Sequence, residues 1–171
     1  MVIQKLLAVG LQLQLKINSM FSLAKIFTTF FYLGYSPIAP GTLGSIAAII
    51  IWWFFLNTNF LYFFAFFLLY TLFAHIFTRI HLNEDKNDDP SEIICDEVIG
   101  QFIPLFIISS TNDIYLILIA FVSFRIFDIY KLYPANYAET MHGANGVIMD
   151  DVIAGIYALI IVFIFKYLLS L

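Results

Sequence analysis

Residues 60–80 have the sequence Phe-Leu-Tyr-Phe-Phe-Ala-Phe-Phe-Leu-Leu-Tyr-Thr-Leu-Phe-Ala-His-Ile-Phe-Thr-Arg-Ile. An apolar segment of about 20 residues is long enough to cross a bilayer as an α-helix. The single formally charged residue of the segment, Arg79, stands near its end, and His75 lies one helical turn earlier. The segment therefore predicts a membrane-spanning helix.

The rest of the chain is similarly apolar. Of its 171 residues, 62% are hydrophobic and only 12% are charged, whereas a soluble domain carries about 25% charged residues. Further apolar segments cover residues 43–56, 98–108, 114–127 and 152–169. We therefore predict an all-α, polytopic integral membrane bundle with about five spans. The single cysteine, Cys95, excludes an intrachain disulfide and a Cys-based zinc motif, and no basic tract predicts nucleic-acid binding.

The first 19 residues differ from this pattern. Lys5 and Lys16 flank an apolar stretch that two glutamines interrupt, and no small-residue cleavage site of a signal peptide follows. We expect either an N-terminal interfacial helix or an extension ahead of a natural start at Met20. Residues 20–171 are expected to form a single domain.

Four polar clusters interrupt the apolar segments. They are Gly34-Tyr-Ser-Pro-Ile-Ala-Pro-Gly-Thr-Leu-Gly-Ser45, Asp96-Glu97, Arg125-x-x-Asp128-x-x-Lys131, and His142-Gly143 continuing to Asp150-Asp151. Lys and Arg flank the connections at 81–95 and 128–149 but are absent from 57–59 and 109–113, so the positive-inside rule predicts that the first two are cytoplasmic. With alternating spans, all four clusters then lie at the cytoplasmic face, where they could form one site.

The two acidic pairs share a local pattern, Asp96-Glu-Val-Ile-Gly100 and Asp150-Asp-Val-Ile-Ala-Gly155. Charged side chains are costly beside lipid, and Mg²⁺ prefers carboxylate oxygens together with waters and substrate phosphate oxygens. Two pairs from different helices could therefore hold one or two ions. Each glycine lies four residues after an acid, on the same helix face, where it permits close helix approach. Acids that only complement a helix dipole are the alternative, but that role needs one acid and not two matched pairs.

A row of charges lies on one predicted helix face, because Arg125, Asp128 and Lys131 are spaced at i, i+3 and i+6. Arg125 could bind phosphate bidentately, Asp128 could ligate a metal or order the cations, and Lys131 adds positive charge. A basic anchor at the cytoplasmic face with an incidental acid would explain the same row.

Three further polar residues are candidates for the same site or for packing. The Pro/Gly-rich cluster resembles a helix start in which Thr42 is the N-cap and the backbone near Gly41 is open to a phosphate. His142 is a candidate general acid or base, or a phosphate contact. His75 lies within an apolar span, where a hydrogen-bonded core histidine is the expected role.

Together these motifs resemble the phosphatidylglycerophosphatase A family. The matching segments are Gly34–Ser45, Ile94–Gln101, Phe124–Lys131 with Pro134, and His142–Gly155, in the order of the family and over about residues 30–160. The resemblance implies a Mg²⁺-dependent phosphatase of the bacterial inner membrane with its active site facing the cytoplasm. It implies conversion of phosphatidylglycerophosphate to phosphatidylglycerol and inorganic phosphate, so the expected partners are this phospholipid and the bilayer.

We therefore expect a set of five carboxylates to hold Mg²⁺, namely Asp96, Glu97, Asp128, Asp150 and Asp151. The expected phosphate-binding residues are Gly41, Thr42, Arg125 and Lys131, and His142 joins the five acids as a catalytic candidate. A metal-bound water is the default nucleophile, and an aspartyl-phosphate intermediate stays open.

Three other functions are compatible with parts of this pattern. A transporter or proton relay would use intramembrane carboxylates, but its acids should lie in mid-span, whereas these acids lie at span ends. A CDP-alcohol phosphotransferase would carry an Asp-Gly-x-x-Ala-Arg run, which the sequence lacks. A non-catalytic membrane scaffold would not need paired acids on one face.

Overall fold

The computed structural model describes residues 2–55, 58–84, 90–110 and 113–168, and this part of the chain contains no β-strand. The helices are α1 (Val2–Thr28), α2 (Pro40–Phe55), α3 (Phe60–Glu84), α4 (Cys95–Leu105), α5 (Ile114–Tyr130), α6 (Ala135–Glu139) and α7 (Ala144–Leu168), with a short 3-10 helix at Leu33–Tyr35. The predicted all-α class is confirmed.

The short helix α4 forms the centre of the bundle. All its residues except Glu97 are buried, and it packs mainly against α7 and α2, with smaller contacts to α5 and α3. Phe102 is fully buried and meets Phe63 and Tyr70 of α3 edge to face, with ring centroids 5.5 Å and 5.8 Å apart. Burial of a phenylalanine side chain stabilises a fold by about 1.5–3 kcal/mol. The apolar half of α4 therefore anchors the bundle, while its first turn carries the acidic pair.

Two glycines allow α4 and α7 to pack closely. A Cβ atom on Gly155 would collide with the carbonyl oxygen of Gly100 and lie 2.9 Å from Cδ1 of Ile103. A Cβ atom on Gly100 would lie 2.7 Å from the carbonyl oxygen of Asp151 and collide with the ring of Phe124. The close helix approach predicted from the spacing of acid and glycine is confirmed. It places the first turn of α4 beside the acids of α7.

The helices at the two ends of the chain compare differently with the sequence prediction. α1 continues without interruption past residue 19 to Thr28, and the expected extension or interfacial helix over residues 1–19 stays a prediction. α7 begins at Ala144, well before the expected start at Val152, because Val147 and Ile148 are buried against the bundle. The second acidic pair consequently lies inside α7, in its second turn.

The polar ends of α2 and α5 also differ from the prediction. α2 begins at Pro40, since proline suits a first helical turn where its missing N–H is not needed. Thr42 therefore lies within the first turn, and its predicted role as N-cap is wrong. α5 continues past Phe127 to Tyr130 and ends where Lys131 adopts a left-handed conformation with φ 43°.

Two of the described helices, α7 and the segment Phe60–Asn83 of α3, are long and apolar enough to cross a bilayer. This finding rests on length and composition, which a buried core helix can share. α2 is apolar but shorter, and α4, expected to belong to the third span, has 11 residues.

Candidate functional site

A cavity of about 270 Å³ lies where α2, α4, α5 and α7 meet. It is called the acidic cavity below. Its lining draws on all four polar clusters through Ala39, Pro40, Gly41, Asp96, Glu97, Arg125, Asp128, Lys131, Asp150 and Asp151. These residues come from the start of α2 and the residue before it, the first turn of α4, the end of α5 with Lys131 after it, and the second turn of α7. Segments far apart in sequence therefore meet in one place.

Three carboxylates form a compact group in this cavity. Asp96, Glu97 and Asp151 each place one oxygen so that these atoms lie within 4.8 Å of one another. Asp96 and Asp151 are buried, and Glu97 is half-buried. Within the described part of the chain, Oδ1 of Asp96 and Oε2 of Glu97 are buried without a hydrogen-bond partner. Buried carboxylates need a compensating cation or a proton, so these orphaned oxygens fit a divalent cation with oxygen ligands.

The environment of the first acidic pair favours the protonated carboxyls when no cation is bound. Burial raises the pKa of Glu97 to about 7; a hydrogen bond with Asp96 and the charge of Arg125 act in the opposite direction. Burial, and then the charges of Glu97 and Asp151, also raises the pKa of Asp96. Both residues precede the apolar segment that begins at Val98. A bound cation would favour the charged forms of both groups.

The other two acids of the cavity pair with basic side chains. Asp128 forms an ion pair with Arg125 one turn earlier on α5. Oδ2 of Asp150 lies 2.9 Å from Nζ of Lys131. The other carboxylate oxygen of Asp150, Oδ1, accepts a hydrogen bond from the backbone N–H of Asp151. Three of the five predicted carboxylates therefore form the compact group, and the other two, Asp128 and Asp150, each pair with a basic side chain.

Gly41 provides the space in which Glu97 and Arg125 approach each other. A Cβ atom at position 41 would lie 2.9 Å from Nη1 of Arg125 and 3.0 Å from Cδ of Glu97. Any larger residue would displace both side chains. Thr42, by contrast, is not among the described lining residues, and its backbone N–H donates to the carbonyl oxygen of Ala39 at 3.0 Å.

His142 lies outside the acidic cavity. Its side chain is exposed and lines a second cavity together with His75 and Arg79. Nε2 of His75 lies 2.9 Å from Oδ1 of Asn145, so His75 is hydrogen-bonded as expected, but it is half-buried at a cavity edge. The structure thus separates His142 from the carboxylates with which the sequence grouped it.

Gln101 is a buried polar residue that the sequence interpretation overlooked. It lies on α4 one turn beyond Glu97 and is fully buried, and neither of its amide atoms has a partner among the described residues. Buried polar groups are almost always hydrogen-bonded, so a water or an ion-bound oxygen is expected beside it. The sequence could have indicated its role, because Gln101 is the one polar residue of the apolar run 98–108 and lies four residues after Glu97.

The chain is similar in sequence to known proteins over most of its length. The sequence model of the family described as Phosphatidylglycerophosphatase A matches residues 26–166. A protein with that name from Escherichia coli is 35% identical over 131 residues, which cover 72% of this chain and 72% of its own. Another with that name, from Haemophilus influenzae, is 37% identical over 132 residues, which cover 75% of this chain and 80% of its own. A Bacteroides thetaiotaomicron protein named "Putative phosphatidylinositol-3-phosphatase" is 37% identical over 142 residues, 80% of this chain and 89% of its own. No solved structure matches at a significant level. The chain therefore belongs to the phosphatidylglycerophosphatase A family.

Proposed function

We propose that this protein is a lipid phosphatase that hydrolyses phosphatidylglycerophosphate to phosphatidylglycerol and inorganic phosphate. Its membership of the phosphatidylglycerophosphatase A family over residues 26–166 supports this reaction. The observation that carries the proposal is the acidic cavity, where a carboxylate group suited to a cation lies beside Arg125 and Lys131. Water supplies the oxygen that joins phosphorus, and the ester oxygen leaves with the lipid.

Mg²⁺ is the proposed cofactor, held by Asp96, Glu97 and Asp151. When bound, it would stabilise negative charge that develops on the phosphate oxygens during hydrolysis. The support lies in the orphaned oxygens of Asp96 and Glu97 and in the preference of Mg²⁺ for carboxylate ligands. Asp128 and Asp150 border the same cavity. We propose that they position the side chains of Arg125 and Lys131 and also add negative charge near Mg²⁺.

Arg125 and Lys131 are the proposed phosphate-binding residues. The ion pair with Asp128 orients the guanidinium of Arg125, whose Nε has no hydrogen-bond partner among the described residues. Asp150 holds Nζ of Lys131 at the cavity wall. Preorganised cations stabilise charge in the transition state without reorganising during the reaction. Gly41 lines the same cavity, and its lack of a side chain lets Arg125 approach Glu97 there.

We further propose that the bundle lies in the bacterial inner membrane, with about five spans and the acidic cavity at the cytoplasmic boundary. Only 17% of the bilayer-length segment of α3 is buried, and residues such as Leu61 and Leu69 are 68% and 56% exposed. A soluble protein rarely exposes so continuous an apolar surface. The first turn of α4 reaches the acidic cavity, while Leu105 at its other end shares a cavity with Phe55 and Phe60. α4 thus bridges the two ends of the bundle.

A phosphatidylinositol phosphate is the second candidate substrate, because the Bacteroides relative is named for that class. Both substrates carry a phosphomonoester on a lipid headgroup, which is the group that the acidic cavity would bind. A transporter or proton relay is a weaker alternative, since the carboxylates lie within the first two turns of α4 and α7 and near the end of α5, away from the middle of each helix.

The test is phosphate release by purified protein in neutral detergent from phosphatidylglycerophosphate, phosphatidylinositol 3-phosphate and phosphatidic acid, with Mg²⁺ or with EDTA. We expect Mg²⁺-dependent release, fastest from phosphatidylglycerophosphate, and a loss of about 100-fold or more in Asp96→Asn. Asp113→Asn, which removes a carboxylate outside the cavity, should keep the wild-type rate. Equal rates in EDTA would refute the cofactor proposal, and near-native release by Asp96→Asn would refute the proposed site.

A further inference from the structure

A second cavity, of about 370 Å³, lies between the last turns of α3 and the start of α7. It is called the α3–α7 cavity here. Its described lining consists of His75, Arg79, Leu82, Asn83, His142, Gly143, Ala144 and Asn145. No described residue lines both this cavity and the acidic cavity. The proposed hydrolysis therefore makes no use of it.

Its wall on α3 is a polar row. His75, Arg79 and Asn83 are spaced four residues apart and therefore share one helix face. Among the described residues, none forms an ion pair or a hydrogen bond with the exposed guanidinium of Arg79. Arginine carries a permanent charge and a planar set of donors that match a phosphate group. A basic residue at a span end is common, but it does not account for the polar residues beside it.

The opposite wall is the beginning of α7. A 25-residue helix starts at Ala144, where the first backbone amides carry partial positive charge. Gly143 immediately before it has a left-handed φ of 73°, and among the described residues other than its two chain neighbours no atom lies within 4 Å of the position its Cβ would take. The hydrogen bond of 2.9 Å between His75 and Asn145 joins the two walls. The cavity thus combines one arginine, two histidines and an open helix start.

We propose that the α3–α7 cavity binds a phosphate group, supplied either by inorganic phosphate or by the headgroup of an anionic phospholipid. Arg79 binds two phosphate oxygens, and His142 and the first amides of α7 donate to the others. The site does not depend on the hydrolytic reaction, because its residues lie outside the acidic cavity.

The histidines provide a direct measurement. The chain contains three, of which two line this cavity. The third, His81, is buried with Nδ1 2.7 Å from Oγ1 of Thr28 and serves as an internal reference. Protein with ¹⁵N-labelled histidine is titrated at fixed pH in the presence of EDTA. One arm adds inorganic phosphate to protein in neutral detergent, with chloride at equal ionic strength as its control. The other compares phosphatidylcholine nanodiscs with and without phosphatidylglycerol.

We expect saturable shifts of the His75 and His142 imidazole signals and an unchanged His81 signal. The variant His142→Asn lacks this imidazole, so the signal that disappears from its spectrum belongs to His142. Arg79→Gln should weaken binding about tenfold or more, since a charge-assisted hydrogen-bond pair is lost. Lys16→Gln, which removes an exposed positive charge outside the cavity, should bind like the wild type.

The two arms identify the source of the phosphate. Shifts with inorganic phosphate indicate a site for the free ion, and shifts only with phosphatidylglycerol indicate a headgroup site. Absence of saturable shifts in both arms overturns the proposal, as does undiminished binding by Arg79→Gln. Asp96→Asn should retain the shifts, so failure of the proposed phosphatase site and failure of this site are distinguishable.

Discussion

Nζ of Lys131 lies 2.9 Å from Oδ2 of Asp150, whereas the next residue, Asp151, contributes its carboxylate to the group with Asp96 and Glu97. Consecutive helical residues point about 100° apart, so these two acids face different partners. An adjacent acidic pair therefore serves two purposes in the proposed site. In that proposal, Asp150 orients Lys131 for phosphate binding and Asp151 is a metal ligand.

The first prediction separates these two roles. Asp151→Asn should lower both Mn²⁺ affinity, measured by electron paramagnetic resonance, and kcat, the latter by about 100-fold or more. Asp150→Asn should retain Mn²⁺ binding and mainly raise KM, because Lys131 loses a charged partner at the cavity wall. An equal loss of Mn²⁺ affinity in both variants would contradict the division of roles.

The second prediction concerns the contact between α4 and α7. Gly155→Ala should lower the melting temperature measured in detergent, because the added methyl group meets the Gly100 carbonyl and Ile103. Overpacking of this kind costs about 1–3 kcal/mol. Ile156→Ala, at the neighbouring and 44% exposed position, is the matched control and should change the melting temperature less. A melting temperature of Gly155→Ala equal to that of the wild type would show that the helices can separate without cost.

The third prediction concerns Gln101, whose buried amide has no partner among the described residues. Gln101→Leu should leave the melting temperature in EDTA unchanged or raise it, since an unsatisfied polar group becomes apolar. If the amide binds an oxygen near the ion, the increase in melting temperature produced by Mg²⁺ should be smaller than in the wild type. The same Mg²⁺-induced increase in both proteins would assign Gln101 no part in the metal site.

The fourth prediction follows from the protonation of Glu97. Its pKa is about 7 in the folded protein against an ordinary value of 4.5, so the unfolded chain loses this proton first as pH rises. In EDTA, the contribution of Glu97 to the free energy of unfolding should therefore decline as the pH rises from 4.5 to about 7, and it should stay constant above about pH 7. Mg²⁺ binds the charged carboxylate, so the Mg²⁺-induced increase in melting temperature should be larger at about pH 8 than at about pH 5. Glu97→Gln should flatten this pH dependence; an unaltered profile would assign the titration to another group.

Several features of the site could be predicted from local sequence alone. Apolar segments indicated helices, and the positions of Lys and Arg indicated which connections share a face. That reasoning brought Asp96 and Asp151 to the same end of the bundle, where they line one cavity. The glycine four residues after each acid indicated a close helix contact, because periodicity determines which residues share a helix face.

Other features depended on contacts between helices. The sequence assigned all five acids to Mg²⁺, with ordering of the cations as a second possible role for Asp128, but it did not indicate that Asp150 pairs with Lys131. It also grouped His142 with the second acidic pair, whereas the start of α7 at Ala144 directs it to the α3–α7 cavity. Such pairing depends on where each helix begins and how it is rotated against its neighbours.

The amino-acid sequence therefore determined the helical class, the inventory of charged groups and the end of the bundle at which they gather, because these follow from hydropathy and helical period. Only the tertiary structure decided which carboxylates approach within 4.8 Å, that Asp150 pairs with Lys131, and that Gln101 is buried one turn beyond Glu97. The group of three carboxylates arises because Gly100 and Gly155 let α4 pack closely on α7, and the pair of Lys131 with Asp150 arises because the end of α5 packs beside α7.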